Sequence, residues 1–213
     1  MKTLTFLIAL LLLPTATQAA VSQTFVMSSP AGIPDGDLNG LVQSITPSTT
    51  IGTLSSITVS LQTTDGWNGD LYAYLWHGGE ISVLLNRISR STTNLAGSHT
   101  SGLDITFDMT ALTDVHGAPG TFGSIISGTY QPDGRNIHPN DVLDTTPRTA
   151  GLDVFTGDEA SGEYRLFIAD VATGDTATLV SWSITLTGEA IPEPSSAILL
   201  LASSLVCALH RRR

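Results

Sequence analysis

The segment LYAYLWHGGEISVLL, residues 71–85, decides the fold that this sequence predicts. Leu71–Trp76 and Ile81–Leu85 are rich in aromatic and branched residues, and the turn His-Gly-Gly-Glu (77–80) lies between them. Glycine pairs readily adopt the left-handed backbone angles that tight hairpin turns require. The segment is therefore predicted to form a β-hairpin.

Working outward, short alternating runs of apolar and polar residues occur on both sides of the hairpin. The clearest runs are 57–61, 103–107, 164–168 and 182–187. Alternation with a period of two predicts strands with one buried face, and one or two more strands are expected in 21–54 and 121–130. These features predict an all-β sandwich or barrel. The segment 131–151 lacks periodicity and is predicted to be a surface insertion.

The N-terminus has the organisation of a secretory signal peptide over residues 1–20. Lys2 is followed by the apolar run Phe6–Leu13 and by a region of small residues that ends at Ala19 and Ala20. The small-residue rule favours cleavage by signal peptidase after Ala19, with Ala20 nearly equivalent. The alternative, an uncleaved anchor, is less favoured because the apolar run is short for a membrane span.

The C-terminus carries a second apolar segment. Ile191–Ser196 contains Pro192, Glu193 and Pro194, and Ala197–Leu209 is then apolar except for two serines. Arg211, Arg212 and Arg213 follow, which predicts a short transmembrane helix with a positive cytoplasmic stop and the folded domain on the outer side. The only cysteine, Cys207, lies in this segment, so no intrachain disulfide is expected. The domain itself is predicted to span residues 21–190.

Charge narrows the classes of partner. Residues 21–190 contain 18 Asp or Glu against 5 Arg and no Lys, which leaves 13 net negative charges. Nucleic acid is excluded as a partner, because phosphate binding needs the opposite sign. The acidity is either a solubility feature or is partly neutralised by a bound cation, for which Ca²⁺ is the natural candidate outside the cell.

Two sets of motifs resemble known families. The tail, with Pro192-Glu193-Pro194, an apolar helix and terminal arginines, resembles the PEP-CTERM sorting signal, which implies an exosortase as a processing enzyme in a Gram-negative bacterium. A plain anchor with an incidental Pro-Glu-Pro is the alternative. The second set resembles the P domain, or Homo B domain, of subtilisin-like proprotein convertases. Its elements, in order, are Ile33-Pro34-Asp35, Trp67-Asn68-Gly69-Asp70-Leu71, Leu84-Leu85-Asn86-Arg87, Phe155-Thr156-Gly157, Gly162-Glu163-Tyr164, Ala169-Asp170 and Gly174–Trp182.

The P-domain resemblance implies a jelly-roll-like antiparallel β-sandwich, similar to galactose-binding domains, that supports a neighbouring protease and in bacterial relatives sometimes binds Ca²⁺. Two features depart from the family. The signal peptide leads directly into the module, without a preceding subtilase domain, and the 131–151 insertion and the turn at Trp76–Gly79 are unusual. A stabilising role within one chain is therefore not expected.

Four acidic residues that match the P-domain motifs are predicted Ca²⁺ ligands: Asp35, Asp70, Asp170 and Asp175. Carboxylates on glycine-rich loops are the ligands that Ca²⁺ uses. The alternative is that these side chains cap turns by accepting hydrogen bonds from backbone N–H groups.

The aromatic and histidine residues give no catalytic signature. Trp67 and Trp182 are predicted to be structural, whereas Trp76 and His77 are left open as members of a sugar-stacking face. Five histidines lie in no metal-binding or nucleophile motif, and no nucleophile, base and orienting acid are apparent. The chain is therefore predicted not to be an enzyme.

The predicted function is that of a non-catalytic interaction or structural module, exported, held briefly at the inner membrane, and sorted to the cell envelope or extracellular matrix. Two alternatives remain at this point. One is an accessory that stabilises a separately encoded subtilisin-like exported protease, and the other is a carbohydrate-binding module for an extracellular polysaccharide.

Overall fold

The computed structural model describes residues 20–191, which form ten β-strands and three short 3₁₀ helices. The strands are β1 (Ala20–Met27), β2 (Ala31–Gly32), β3 (Leu41–Ile45), β4 (Ile51–Asp65), β5 (Leu71–His77), β6 (Glu80–Asn86), β7 (Leu103–Phe107), β8 (Ile126–Tyr130), β9 (Tyr164–Asp170) and β10 (Ala177–Ala190). The 3₁₀ helices are Asn68–Asp70, Val115–Gly117 and Leu152–Phe155. All six strand segments identified from the sequence are confirmed. The ranges 21–54 and 121–130, where one or two more strands were expected, hold four: β1, β2, β3 and β8.

The strands form two sheets. The large sheet has the order β1-β10-β4-β7-β8, with β2 paired to β10, and the small sheet has the order β3-β9-β5-β6. In most strands alternate residues point inward, and they form one hydrophobic core shared by both sheets. β6 is the exception, since Ser82 to Asn86 are all buried. The largest fully buried side chains of the core include Trp182, Tyr164, Phe107 and Phe155. The all-β, sandwich-like class predicted from the sequence is therefore correct.

The hairpin of residues 71–85 is present as β5 and β6. Gly78 and Gly79 turn the chain with φ angles of 61° and 101°, which are in the left-handed region that glycine tolerates. A bulge between Ala73 and Tyr74 shifts the register of the pair.

One pair of strands departs from the predicted antiparallel arrangement. β7 and β8 are parallel, with Leu103 opposite Ile126 and Phe107 opposite Tyr130. Parallel neighbours need a long crossover connection, and residues 108–125 supply it. The large sheet is therefore mixed.

The prediction that residues 131–151 form a surface insertion is correct only in part, because many residues of the segment are exposed but others pack against the sandwich. The segment is irregular, but Asp133 and Val142 are fully buried. The Asp133 N–H donates to the Leu84 carbonyl at 3.0 Å, and the Val83 N–H donates to the Ala150 carbonyl at 2.9 Å. The segment thus covers the free edge of β6, which would otherwise expose unpaired backbone groups.

Within residues 20–191, no helix is long and apolar enough to cross a membrane. The predicted signal peptide up to Ala19, the Pro192-Glu193-Pro194 motif and the arginines Arg211–Arg213 lie outside the described residues. Their assignments therefore stay predictions.

Candidate functional site

The four predicted metal ligands come together at one end of the molecule. Asp70 directly precedes β5, Asp170 ends β9, and Asp35 and Asp175 lie on neighbouring loops. Burial is the main cause that raises the pKa of Asp170 to about 6. The hydrogen bond from the Ala172 N–H opposes this rise, and the charges of Asp70, Asp35 and Asp175 add to it. The sequence therefore identified a spatial cluster, although the four residues are up to 140 positions apart.

Asp170 is the unusual member of this acidic cluster. It is fully buried, and its Oδ1 atom accepts a hydrogen bond from the Ala172 N–H at 3.2 Å. Its Oδ2 atom is buried and has no hydrogen-bond partner. An unpaired buried carboxylate oxygen is costly, and a proton or a cation would remove that cost.

Two other members already have partners within the protein. Asp70 Oδ1 lies 3.2 Å from the Arg87 guanidinium, which also donates to the Gly69 carbonyl at 2.9 Å. Asp35 accepts a hydrogen bond from the Gly174 N–H at 3.1 Å, which is the turn-capping role considered as the alternative.

As arranged, no three His, Cys, Asp or Glu side chains within 20–191 form a group that could hold a metal ion. Among the side-chain oxygens of the four predicted ligands, Asp170 Oδ2 is buried without a hydrogen-bond partner. The calcium site stays a prediction.

A second feature is the outer face of the small sheet. Tyr72, Tyr74 and Trp76 alternate along β5 and point away from the core, beside Phe167 and Arg165 of β9. The Tyr74 and Phe167 rings stack with centroids 4.8 Å apart, and the Arg165 guanidinium lies 4.8 Å from the centre of the Trp76 ring. These five residues are called the aromatic surface below. All five are at least partly exposed.

The aromatic surface ends at a pocket of about 410 Å³, called the Trp76 pocket. It is lined by Trp76, His77, Gly78, Asp158, Glu159, Ser161, Gly162 and Glu163. Asp158 and Glu159 make no ion pair among the described residues, whereas Glu163 is paired with Arg165 at 2.6 Å. The pocket therefore offers hydrogen-bond acceptors and negative charge beside an indole ring.

His77 fixes the wall of this pocket. Its ring is buried and stacks on Tyr164 with centroids 3.8 Å apart. Its Nδ1 and Nε2 atoms lie 3.1 Å and 2.8 Å from the carbonyl oxygens of Glu163 and Glu159. His77 is thus a structural residue behind the pocket, whereas Trp76 is partly exposed at its edge.

The other two tryptophans differ in their surroundings. Trp182 is buried in the core, and its Nε1–H donates to Gln43 Oε1 at 3.1 Å, so its predicted structural role is confirmed. Trp67 is only partly buried. It packs edge-on against His99 at 4.6 Å and near Phe122, which is 80% exposed.

A partly buried charge network was not foreseen from the sequence. His116 Nδ1 lies 2.8 Å from Asp133 Oδ2, and Arg135 contacts both Asp133 and Asp114. Arg148 also contacts Asp114, at 3.5 Å. The network anchors the 131–151 segment to the sandwich. The residues of the network lie far apart along the chain and form no recognisable motif, so the sequence does not predict it. The exception is Asp133-Gly134-Arg135, whose spacing is compatible with a local ion pair.

The histidine environments bear on catalysis. In the described part of the chain, hydrogen bonds to His ring nitrogens involve backbone groups and the Asp133 carboxylate, and none involves a hydroxyl group. The prediction that the chain is not an enzyme stays a prediction, because such an arrangement does not test activity.

Comparisons with known proteins place the chain only distantly. No family model and no curated protein matches it. Among solved structures, it is similar to a chain in the complex of the Aeromonas sobria serine protease with its chaperone ORF2, at 15% identity and a TM-score of 0.46. It is also similar to the serine protease of Aeromonas sobria, at 17% identity and a TM-score of 0.44. These matches cover 81% and 83% of this chain but only 28% of each protease-structure chain.

Proposed function

We propose that this chain is a non-catalytic, exported interaction module that binds its partner through the aromatic surface and the Trp76 pocket. The observation that supports the proposal is the alignment of Tyr72, Tyr74 and Trp76 on the outer side of a sheet whose inner side is already packed. We take the sandwich to be jelly-roll-like and of the P-domain type. This assignment rests on the seven ordered motifs of the sequence.

The physical argument begins with the position of the rings. A strand on a sheet with one solvated face normally carries polar residues outward, yet β5 places three aromatic residues there. Aromatic side chains dominate the energetics of interfaces because each buries about 150–250 Å². Their packing against Phe167 and Arg165 holds them in place before any partner arrives, and such preorganisation lowers the entropic cost of binding.

A matched pair of variants tests this proposal. Trp76→Ala removes the ring at the pocket, and Phe122→Ala removes an 80% exposed ring from the loops near Trp67. Binding of the exported domain would be measured on a glycan array and on purified extracellular polymer from the host. We expect Trp76→Ala to weaken binding by about 30-fold, the effect of losing an interface hot spot, and Phe122→Ala to leave it unchanged. Equal effects of the two variants would contradict the proposed surface.

A second candidate is the P-domain role toward a separately encoded exported protease. It is supported by the order of the motifs from Ile33 to Trp182 in the sequence. In that case the chain co-purifies with a subtilisin-like protease from the host, and deleting the chain shortens the lifetime of that protease. A protease of unchanged lifetime in the deletion strain would argue against this role.

We further propose that Ca²⁺ binds beside Asp170, with Asp35, Asp70 and Asp175 supplying nearby negative charge. Ca²⁺ would neutralise the buried Oδ2 atom and tie together the loops that carry the cluster. The support is the unpartnered Oδ2 atom together with the convergence of four acidic residues. Asp70 would have to share its charge between the cation and Arg87.

Sorting completes the proposed function. Signal peptidase removes residues 1–19 or 1–20, the apolar segment Ala197–Leu209 holds the domain at the inner membrane, and an exosortase cuts at Pro192-Glu193-Pro194. The support is the residue pattern of the tail. The mass of the mature protein checks it, since a C-terminus near Pro194 is expected and an intact Arg213 would contradict the sorting route.

A further inference from the structure

Both ends of the folded domain leave the sandwich side by side. Ala20, the first residue of β1, is opposite Glu189 of β10, and Ala190 is opposite Ile51 of β4. The Ile191 N–H donates to the Thr50 carbonyl at 2.7 Å, so the chain is tied down up to one residue before the Pro-Glu-Pro motif. This end of the sandwich is called the base.

The Trp76 pocket belongs to the base. Its wall is held to the start of β4, because the Leu54 N–H donates to the Asp158 carbonyl at 2.8 Å and the Ala160 N–H donates to the Gly52 carbonyl at 2.9 Å. Gly52 in turn lies against the Ile191 side chain, which a Cβ at Gly52 would meet at 3.4 Å. The pocket wall and the exit of the tail thus share the same few residues of β4.

The acidic cluster lies at the opposite end. β4 runs from Ile51 at the base to Asp65, which is opposite Ala177, and Asp175 precedes Ala177 by two residues. A strand of this length covers roughly 45–50 Å. The Trp76 pocket and the acidic cluster therefore face in opposite directions along the strands.

The spacer between Ile191 and the apolar segment is short. Six residue steps separate Ile191 from Ala197, and a fully extended chain covers roughly 20 Å over that number. The polar headgroup layer takes up about 5–7 Å of this distance. A gap of about 13–15 Å remains. A folded domain of about 100 residues has a radius of gyration near 13 Å, so it is about twice as wide as the gap.

We infer that the uncut tail holds the Trp76 pocket against the membrane, where a macromolecular partner cannot reach it, and that cleavage at the Pro-Glu-Pro motif exposes the pocket. The inference rests on the proposed function, since it needs the tail to be inserted in a bilayer. It adds regulation to that function. The module becomes competent to bind only after it has been processed, which prevents it from engaging its partner at the inner membrane.

The test compares two chains, one from residue 20 to residue 213 in lipid nanodiscs and one that ends at Pro194 and represents the cut product. The longer chain carries Cys207→Ser to remove the only cysteine, and its spacer keeps the natural length. Ser161→Cys places a thiol at the pocket, and Thr176→Cys places a matched thiol at the opposite end. Each is reacted with a small maleimide dye and with a maleimide carried on a small folded protein. Both positions are exposed in the sandwich, so the dye should label both throughout.

The protein-sized reagent should label Thr176→Cys at the same rate in the anchored chain and in the chain that ends at Pro194. It should label Ser161→Cys at least tenfold faster in the chain that ends at Pro194. Inserting about 20 Gly and Ser residues after Ile191, which reach roughly 25 Å, should remove the difference at Ser161→Cys without any cut. Equal rates at both positions of the anchored chain, each taken relative to the small dye, would overturn the inference while leaving membrane anchoring intact. A chain that does not float with the lipid would overturn both, so the two failures are distinguishable.

Discussion

Replacing Asp170 by Asn should stabilise the protein at neutral and alkaline pH when no Ca²⁺ is present. The carboxyl is fully buried, its Oδ2 atom has no partner, and burial raises its pKa from the usual 3.8 to about 6. Because the folded pKa lies above the unfolded one, the contribution of this group to the stability of the fold is fully present below about pH 4. That contribution is lost as the pH rises through about 6. A difference of about two pKa units corresponds to up to roughly 3 kcal/mol, or about 6–12 °C in melting temperature.

The assay is thermal unfolding of the wild type and Asp170→Asn in chelator at about pH 4 and about pH 8. Asp104→Asn, which removes an exposed carboxylate from β7, is the control for net charge. We expect Asp170→Asn to melt several degrees above both proteins at the higher pH and to lose most of this advantage at the lower one. An Asp170→Asn protein that melts at or below the wild type at about pH 8 would refute the reasoning.

The same variant tests the cation. Ca²⁺ at a hundred times its dissociation constant adds about 2.7 kcal/mol to the stability of the form that binds it. Excess Ca²⁺ should therefore raise the melting temperature of the wild type and of Asp104→Asn by several degrees, and it should have little effect on Asp170→Asn. No Ca²⁺ effect on the wild type would count against the site, independently of the result in chelator.

Two further predictions concern residues outside the candidate sites that stabilise the fold. Burial opposes protonation of His116, but the hydrogen bond and charge of Asp133 outweigh it and raise the pKa of His116. The stabilising contribution of His116 is thus present below about pH 6.5 and is lost as the pH rises through its raised pKa. Urea unfolding of the wild type should therefore show a loss of stability toward alkaline pH. The His116→Gln variant should not show this loss. Gly69→Ala should cost more than about 2 kcal/mol in the same assay, because its Cβ would lie 2.5 Å from the Ser98 backbone nitrogen. Gly32→Ala, which meets nothing within 4 Å, should change stability by less than about 0.5 kcal/mol.

The sequence predicted the strands well because their signal is local. β7 was predicted with its observed bounds, Leu103–Phe107, since burial alternates along it in step with the residue pattern. β4 is much longer than the predicted run 57–61 because its pairing with β10 continues through Ser and Thr residues that carry no apolar alternation. The parallel direction of β8 is a property of the crossover through residues 108–125, and no residue within β8 encodes it.

Sites were less predictable, for a related reason. The acidic cluster was found because family-like motifs marked Asp35, Asp70, Asp170 and Asp175, but the residue pattern could not show that Arg87 already pairs with Asp70. Burial of the 131–151 segment depends on backbone bonds to the edge of β6 and on charged side chains turned inward. The segment was assigned to the surface because it lacks periodicity, and a residue pattern does not show which loop pairs with the edge of a sheet.

The arginines limit what kind of partner the module can bind. All five arginines of the described domain are engaged: Arg87 with Asp70, Arg135 and Arg148 with Asp114, Arg165 with Glu163 and Trp76, and Arg90 with the carbonyls of Leu95 and Val142. The domain has no Lys, and its arginines are held in these contacts. The excess of carboxylates therefore makes the electrostatic potential around the domain negative.

A partner at the Trp76 pocket must therefore be neutral or basic. The two candidate functions differ in this respect. A neutral polysaccharide would bind through ring stacking and hydroxyl donors, and its affinity should change little between low and high salt. A basic protein surface would be drawn to Asp158 and Glu159, and its association should slow markedly as added salt screens these charges. Measuring the salt dependence of association separates the two candidates before the partner has been identified.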